Sequence, residues 1–325
     1  MSAGLLTSAD EVREWVADAL SATALEVRPL DAMGLSREMW SVTGIRPDGR
    51  ALDGIVKKDT GRGPLSGTMF TPGREAAAMR AVGPTGVAAP TVLAIAGDDR
   101  MFLMERLAGA TDIDADPDPG HRAIRDDFAA NMAALHRLDP VALGLPDAGA
   151  LPSVHDAVLA NVAAYERVYS SLAVTEPAVD DAFALARVLA PAESTAPVLV
   201  HGDLGPGNFL YAGGGVTGLI DWEMWHLGDP MDDLASLWFR KCALRRDADL
   251  ADWFGAYVKA GGTAVDAGKL RYFRMLTMLR VVVAVLVMQE KDPERDEGVA
   301  KLMLPLLELA TGAVHGRPAD GLPPI

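Results

Sequence analysis

Asp203, Asn208 and Asp221 stand in an order that suits the handling of a phosphate and a hydroxyl: the Asn five residues after the first Asp, the second Asp thirteen residues beyond the Asn. A carboxylate can orient an incoming hydroxyl and accept its proton. Hard oxygen ligands can hold Mg²⁺ among the phosphates of ATP. The stretch His201-Gly-Asp-Leu-Gly-Pro-Gly-Asn-Phe-Leu210, followed by Ile220-Asp-Trp-Glu223, offers both. Asp203 therefore reads as the base, and Asn208 and Asp221 as the Mg²⁺ ligands. Glu223 falls on the same side of an extended segment as Asp221, and reads either as a contact to a second metal or as a structural group. His201 reads as a brace for the loop. A hairpin turn built of ordinary turn formers would account for residues 203–208 alone. It does not account for the carboxylates of Asp221 and Glu223 behind an apolar strand.

Such a loop needs elements to hold it. Apolar strands flank it at Val198 to Val200, Phe209 to Tyr211 and Val216 to Ile220, with a glycine turn at Gly213-Gly-Gly215. Upstream, Ser8-Ala-Asp-Glu11 is a capping box that opens a helix over 8–22. Strands follow at 24–30, 39–45, 52–58, 91–96 and 101–107, with a short helix at 74–82. Lys57 and Lys58 end the third strand, where an ammonium can reach ATP phosphates if a carboxylate holds it, and Glu75 is the candidate partner. Strand alternation does not choose between the two lysines. From residue 120 the chain reads as helical, at 120–138, 153–171, 176–190, 229–244, 249–260, 266–290 and 295–313, interrupted by the strands of 197–221. Gly228-Asp-Pro230 has the capping Asp and first-turn proline of a helix start, with Asp232 and Asp233 placed to complement the dipole. A boundary near 108–118 divides a first domain, residues 1–107, from a second, residues 108–325.

Composition narrows the classes. A net charge of -15 argues against nucleic acid as a partner. The single Cys242 excludes a disulfide framework and suits a reducing compartment. The start lacks a basic segment followed by an apolar core, and the longest apolar run, 281–288, is too short for a bilayer, so a cytoplasmic protein without membrane partners is expected. The other histidines, at 121, 136, 155, 226 and 315, show no zinc spacing, and the methionines of 275–288 fall at core positions of a helix.

The motif His201-Gly-Asp-x-x-x-x-Asn208, then Ile220-Asp-Trp-Glu223, then Gly228-Asp-Pro-Met-Asp-Asp-Leu-Ala235 resembles the signature of the aminoglycoside phosphotransferase and choline kinase-like small-molecule kinases. The likeness runs over most of residues 24–240. It implies an α+β, protein-kinase-like two-lobed fold, with a small antiparallel sheet in the N-terminal lobe and a larger, mainly helical C-terminal lobe. It further implies transfer of the γ-phosphate of ATP, with Mg²⁺, to a hydroxyl of a small molecule. The family pattern favours Lys57 over Lys58, places Ser36 in a glycine-poor phosphate loop, and makes the strand carrying Met104, Glu105 and Leu107 the one whose backbone meets adenine. It also implies that one of Asp229, Asp232 and Asp233 anchors the catalytic loop. The six residues between Asp221 and Gly228 leave no room for a protein-kinase activation segment, so a small acceptor is expected rather than a peptide. Acids at 112, 114, 116 and 118 read either as contacts for a cationic acceptor or as a solvated linker, whereas the apolar ending Gly321-Leu-Pro-Pro-Ile325 departs from the acidic C-terminus of aminoglycoside enzymes. Two rival classes are a nucleotide-binding regulator without turnover and a metallophosphoesterase. Intact Asp203, Asn208 and Asp221 weigh against the first, and scattered histidines against the second.

Overall fold

A computed structural model describes residues 7–30, 37–61, 66–113, 121–243, 250–291 and 293–314. The chain divides into two compact units: residues 1–85 with 89–107, and residues 86–88 with 108–325.

The first unit is a five-stranded antiparallel sheet in the order β1-β2-β3-β5-β4: β1 Thr23–Pro29, β2 Glu38–Ile45, β3 Ala51–Lys58, β4 Val92–Ile95 and β5 Met101–Glu105. Helix α1, Ala9–Leu20, starts where the Ser8 side chain accepts the Glu11 N–H at 3.1 Å. Its Val12 and Val16 bury against Val42, Leu52, Val56 and Leu103 of the sheet, a core whose apolar spacing selects one helix face. Helix α2, Pro72–Val82, begins with Thr71 as cap and Pro72 in its first turn, and Glu75, Ala76 and Met79 lie on its buried side. In the β2–β3 register Met39 faces Lys57 and Glu38 faces Lys58, which fixes where each ammonium departs from the sheet.

The second unit is mainly helical: α3 His121–Leu135, α4 Val154–Ser170, α5 Pro177–Val188, α6 Pro230–Trp238, α7 Leu250–Lys259, α8 Ala267–Lys291 and α9 Pro293–Val314. Helix α8 is buried nearly all round, and Met275 and Met278 are fully enclosed, as core residues should be. Two short ribbons interrupt the helices. β7 Phe209–Ala212 pairs with β8 Gly215–Leu219, and β6 Val198–Val200 pairs with β9 His226–Gly228. The expected strand stretch ended at 221, so β9 is an addition. Three residues are too few to show a period of two in the sequence. A five-residue π-helical turn, Phe239–Ala243, follows α6. None of the described helices is long and apolar enough to cross a membrane.

Candidate active site

The loop between β6 and β7 is shaped by glycines that no other residue replaces. Gly202 sits at φ +85°, and a Cβ there would lie 2.4 Å from the Met224 carbonyl oxygen. The next turn closes with the Asn208 N–H donating to the Gly205 carbonyl at 2.9 Å and the Gly207 N–H to that of Thr111 at 3.0 Å. Gly213 and Gly214 both have positive φ, the two-residue turn that matches strand twist. The resulting register sets Phe209 opposite Leu219, and the Ile220 N–H donates to the Asn208 carbonyl at 3.0 Å. Asn208 and Asp221 are thereby brought to the same open end of one hairpin. Asp221 itself adopts φ 65° and ψ 57°, a left-handed conformation that costs a non-glycine residue about 1–2 kcal/mol. Buried Trp222, whose indole N–H donates to the Leu219 carbonyl at 2.8 Å, fixes the chain just beyond it.

Asp203 and Asn208 touch directly. The Asn208 side-chain nitrogen donates to the Asp203 carbonyl at 2.9 Å and to Asp203 Oδ2 at 2.8 Å. Both amide hydrogens are thus spent, and the amide oxygen is left to face a cation. Among the described residues no cluster of three or more His, Cys, Asp or Glu is arranged to hold a metal. An amide oxygen and one carboxylate suit Mg²⁺, which takes one or two protein carboxylates and completes its shell with phosphates and water. The donor set therefore fits. Glu223, half-buried in the 3₁₀ turn Trp222–Met224, is adjacent in sequence but is not needed for that fit.

Arg240 is the group that sequence reasoning missed. Its Nε donates to Asp203 Oδ1 at 2.8 Å, its Nη2 to Asp203 Oδ2, and its Nη1 to the Pro206 carbonyl at 3.3 Å. Burial alone would lower the Arg240 guanidinium, but the charge and hydrogen bonds of Asp203, with the charge of Asp221, hold it above its ordinary value.

His201 is fully buried, packs its ring at a tilt against Trp222 with centroids 4.6 Å apart and bonds through Nε2 to the Ile220 carbonyl at 3.1 Å, so it braces the loop against the end of β8. Burial pushes its imidazole below the usual value, against the pull of Asp233, Asp203 and Asp221. The three acids near the α6 start separate cleanly. Asp229 caps the helix, accepting the Met231 N–H at 2.8 Å, and pairs with Lys269. Asp233 accepts the His201 and Gly202 N–H groups at 2.9 and 2.8 Å, making it the anchor of the loop after β6. His136 bridges that carboxylate to the Tyr257 hydroxyl. Asp232 is clasped by both terminal nitrogens of Arg280 at 2.7 and 2.8 Å and by His226 at 2.9 Å. Asp232 and Asp233 are thus fully buried and paired, beyond the dipole role expected of exposed first-turn acids.

In the first unit Lys57 Nζ donates to Glu75 Oε1 at 2.9 Å, both side chains being almost wholly buried. Lys58 turns the other way and pairs with Glu11 of α1. Met104 and Glu105 lie in β5 and Leu107 just past it. The Glu105 N–H is taken by the Thr91 carbonyl and the Arg106 N–H by that of Asp53. Ser36, the acids at 114, 116 and 118, and residues 315–325 lie outside the described residues; Asp112 is within them and exposed.

The sequence model of the phosphotransferase enzyme family matches residues 59–273, more than half of the chain. No curated protein matches its sequence significantly. Among solved structures, a candidate aminoglycoside phosphotransferase of Ralstonia eutropha JMP134 superposes with a TM-score of 0.71 at 18% identity, covering 95% of this chain and 98% of that one. Choline kinase LicA from Streptococcus pneumoniae gives 0.66 at 17% identity, over 94% and 98% of the two chains. A mutant of aminoglycoside phosphotransferase APH(4)-Ia, in a ternary complex with AMP-PNP and hygromycin B, gives 0.63 at 17%, over 94% and 99%. At these identities the structures establish the fold, a protein-kinase-like arrangement of a small antiparallel sheet and a larger helical lobe.

Proposed function

The chain belongs to the phosphotransferase enzyme family, and from that premise we propose that it transfers the γ-phosphoryl group of ATP to a hydroxyl of a small molecule. The observation that carries the reading is the contact of Asp203 with Asn208, on a hairpin that also presents Asp221. Asp203 orients the acceptor hydroxyl and takes its proton late in a loose transition state. The Asn208 amide oxygen and the Asp221 carboxylate would hold Mg²⁺. When bound, the cation supplies charge neutralisation and a template for the phosphates. Lys57, held by Glu75, contacts phosphate oxygens, while Ser36 and the backbone at Met104, Glu105 and Leu107 would serve the phosphates and the adenine.

The acceptor is small. Between Asp221 and α6 the chain forms only a 3₁₀ turn and the three residues of β9, with no segment on which a peptide would lie. Aminoglycosides, amino alcohols, sugars and hydroxyacyl thioesters are the classes to test, and the hygromycin B and choline kinase relatives support starting with the first two.

The test is ADP release from Mg·ATP across that panel in wild type, Asp203→Ala and Asp221→Ala. Wild type should yield one or more acceptors. Asp203→Ala should lower kcat by about 10²–10⁴-fold with Mg·ATP binding retained, and Asp221→Ala should weaken Mg·ATP binding itself. A wild type that binds no Mg·ATP would sink the reading, and ATP binding with silence across the panel would favour the regulator.

A further inference from the structure

We infer that Arg240 is a positioning residue for Asp203, and that it dictates which oxygen of that carboxylate receives the acceptor's proton; the inference rests on Asp203 being the base. The guanidinium meets the carboxylate edge-on, Nε to Oδ1 and Nη2 to Oδ2, the fork geometry that fixes a carboxylate in plane as well as in place. Oδ2 also accepts from Asn208, so it holds two donors. Oδ1 has Arg240 Nε as its one hydrogen-bond donor among the described residues. A carboxylate oxygen accommodates about two such donors in its plane. The open lone pair is therefore on Oδ1, and the acceptor hydroxyl donates there. In the transfer the hydroxyl oxygen forms the new bond to Pγ. The bond from Pγ to the β–γ bridging oxygen breaks, ADP departs, and the hydroxyl proton passes to Oδ1.

Three features of the fold are arranged around this contact. Arg240 lies on the π-helical turn Phe239–Ala243, which shifts side-chain phase relative to the preceding α-helix, a device concentrated at functional sites. Gly205, at φ +146°, leaves a groove for the arginine stem. A Cβ at that position would stand 2.9 Å from both Cβ and Cδ of Arg240. The same helix also holds the loop from its other end, since Asp233 in its first turn binds the His201 and Gly202 N–H groups. One element thus sets both the backbone of the loop and the plane of the Asp203 carboxylate.

The test compares wild type, Asp203→Ala, Arg240→Ala and Arg240→Lys, with the acceptor found in the panel or, failing one, with water in slow ATP hydrolysis. Mg·ATP affinity is measured separately by fluorescence of a nucleotide analogue. Arg240→Ala should lose about 10²-fold in kcat with KM for ATP little changed, as expected for misplacement of a reacting group. Millimolar guanidinium should restore part of that loss. Arg240→Lys, which offers a point charge in place of a fork, should recover only part of it. A wild-type kcat in folded Arg240→Ala or Arg240→Lys overturns the inference. So does a loss in Arg240→Ala that guanidinium does not relieve and that is matched by lost Mg·ATP binding, which marks a purely structural ion pair. Should Arg240→Ala fail to fold, Arg240→Lys alone decides. Undiminished turnover in Asp203→Ala refutes the base assignment instead, and a wild type that releases no ADP removes both.

Discussion

Lys57 and Glu75 are 6% and 2% exposed at their side chains, so their attraction acts with little screening and their separation is costly. Lys57→Met should destabilise the protein, by up to about 3–5 kcal/mol, because it removes a buried cation from beside the Glu75 carboxylate. The double variant Lys57→Met with Glu75→Leu should recover most of that stability, while nucleotide affinity stays low if Lys57 contacts phosphate. Urea unfolding alongside nucleotide titration separates the two effects. Equal recovery of stability and affinity would show that the lysine serves the fold alone. The pair also marks where residue-level reading fails. Alternation in β3 holds from Ala51 to Gly54, but Gly54 to Lys57 are all buried, so period-two logic has no exposed face left to report. The choice of lysine required α2, which brings Glu75 to one of them. The grouping of Asp203, Asn208 and Asp221 was easier to read because the three are local in sequence and joined by one hairpin. Arg240, 37 residues from the carboxylate it clasps, left no local signal.

At the scale of elements, α6 carries most of the organisation of the site. Its capping Asp229 and Pro230 were legible from the sequence because caps obey local rules. The division of labour between Asp232 and Asp233 was not, since it depends on Arg280 from α8 and on the loop after β6. Asp233→Asn tests that division. An amide offers one acceptor oxygen where two backbone N–H groups now bond to two, so one of them loses its partner at a cost of about 1–3 kcal/mol. Amide hydrogen exchange at His201 and Gly202 should accelerate more than at the α6 amides. Uniform acceleration across the second unit would mean that the helix, rather than the loop anchor, had given way. The π-helical turn after α6 lay beyond sequence reading for a related reason: its residues read as a continuing helix, and the change of hydrogen-bond spacing has no compositional mark.

For the whole molecule, the buried Arg280–Asp232–His226 cluster ties α6, α8 and β9 together and sets an acid limit on stability. Burial alone would raise the Asp232 carboxyl, but the charges and hydrogen bonds of Arg280 and His226 prevail and hold it well below the carboxylate range. A depressed folded-state pKa stabilises above the unfolded value, about 3.9, and that contribution is lost as pH falls towards the folded value. Urea midpoints should therefore fall below about pH 4, and the gap between wild type and Asp232→Asn should narrow over that window. A gap that stays constant with pH would assign the acid sensitivity to other carboxylates.

Residues 86–88 carry a consequence for anyone wishing to take the protein apart. They sit between two stretches of the first unit, yet belong to the second, where the Ala88 carbonyl accepts the Leu219 N–H at 2.9 Å and its N–H donates to Asn131 at 2.8 Å. No composition shift announces them. A gene cut between codons 107 and 108 therefore does not cut between the units: the downstream fragment would lack the carbonyl that accepts the Leu219 N–H at the end of β8, the strand leading to Asp221. Any split version intended to report on reassembly would have to supply that tripeptide on the downstream piece, by circular permutation or by a supplied peptide.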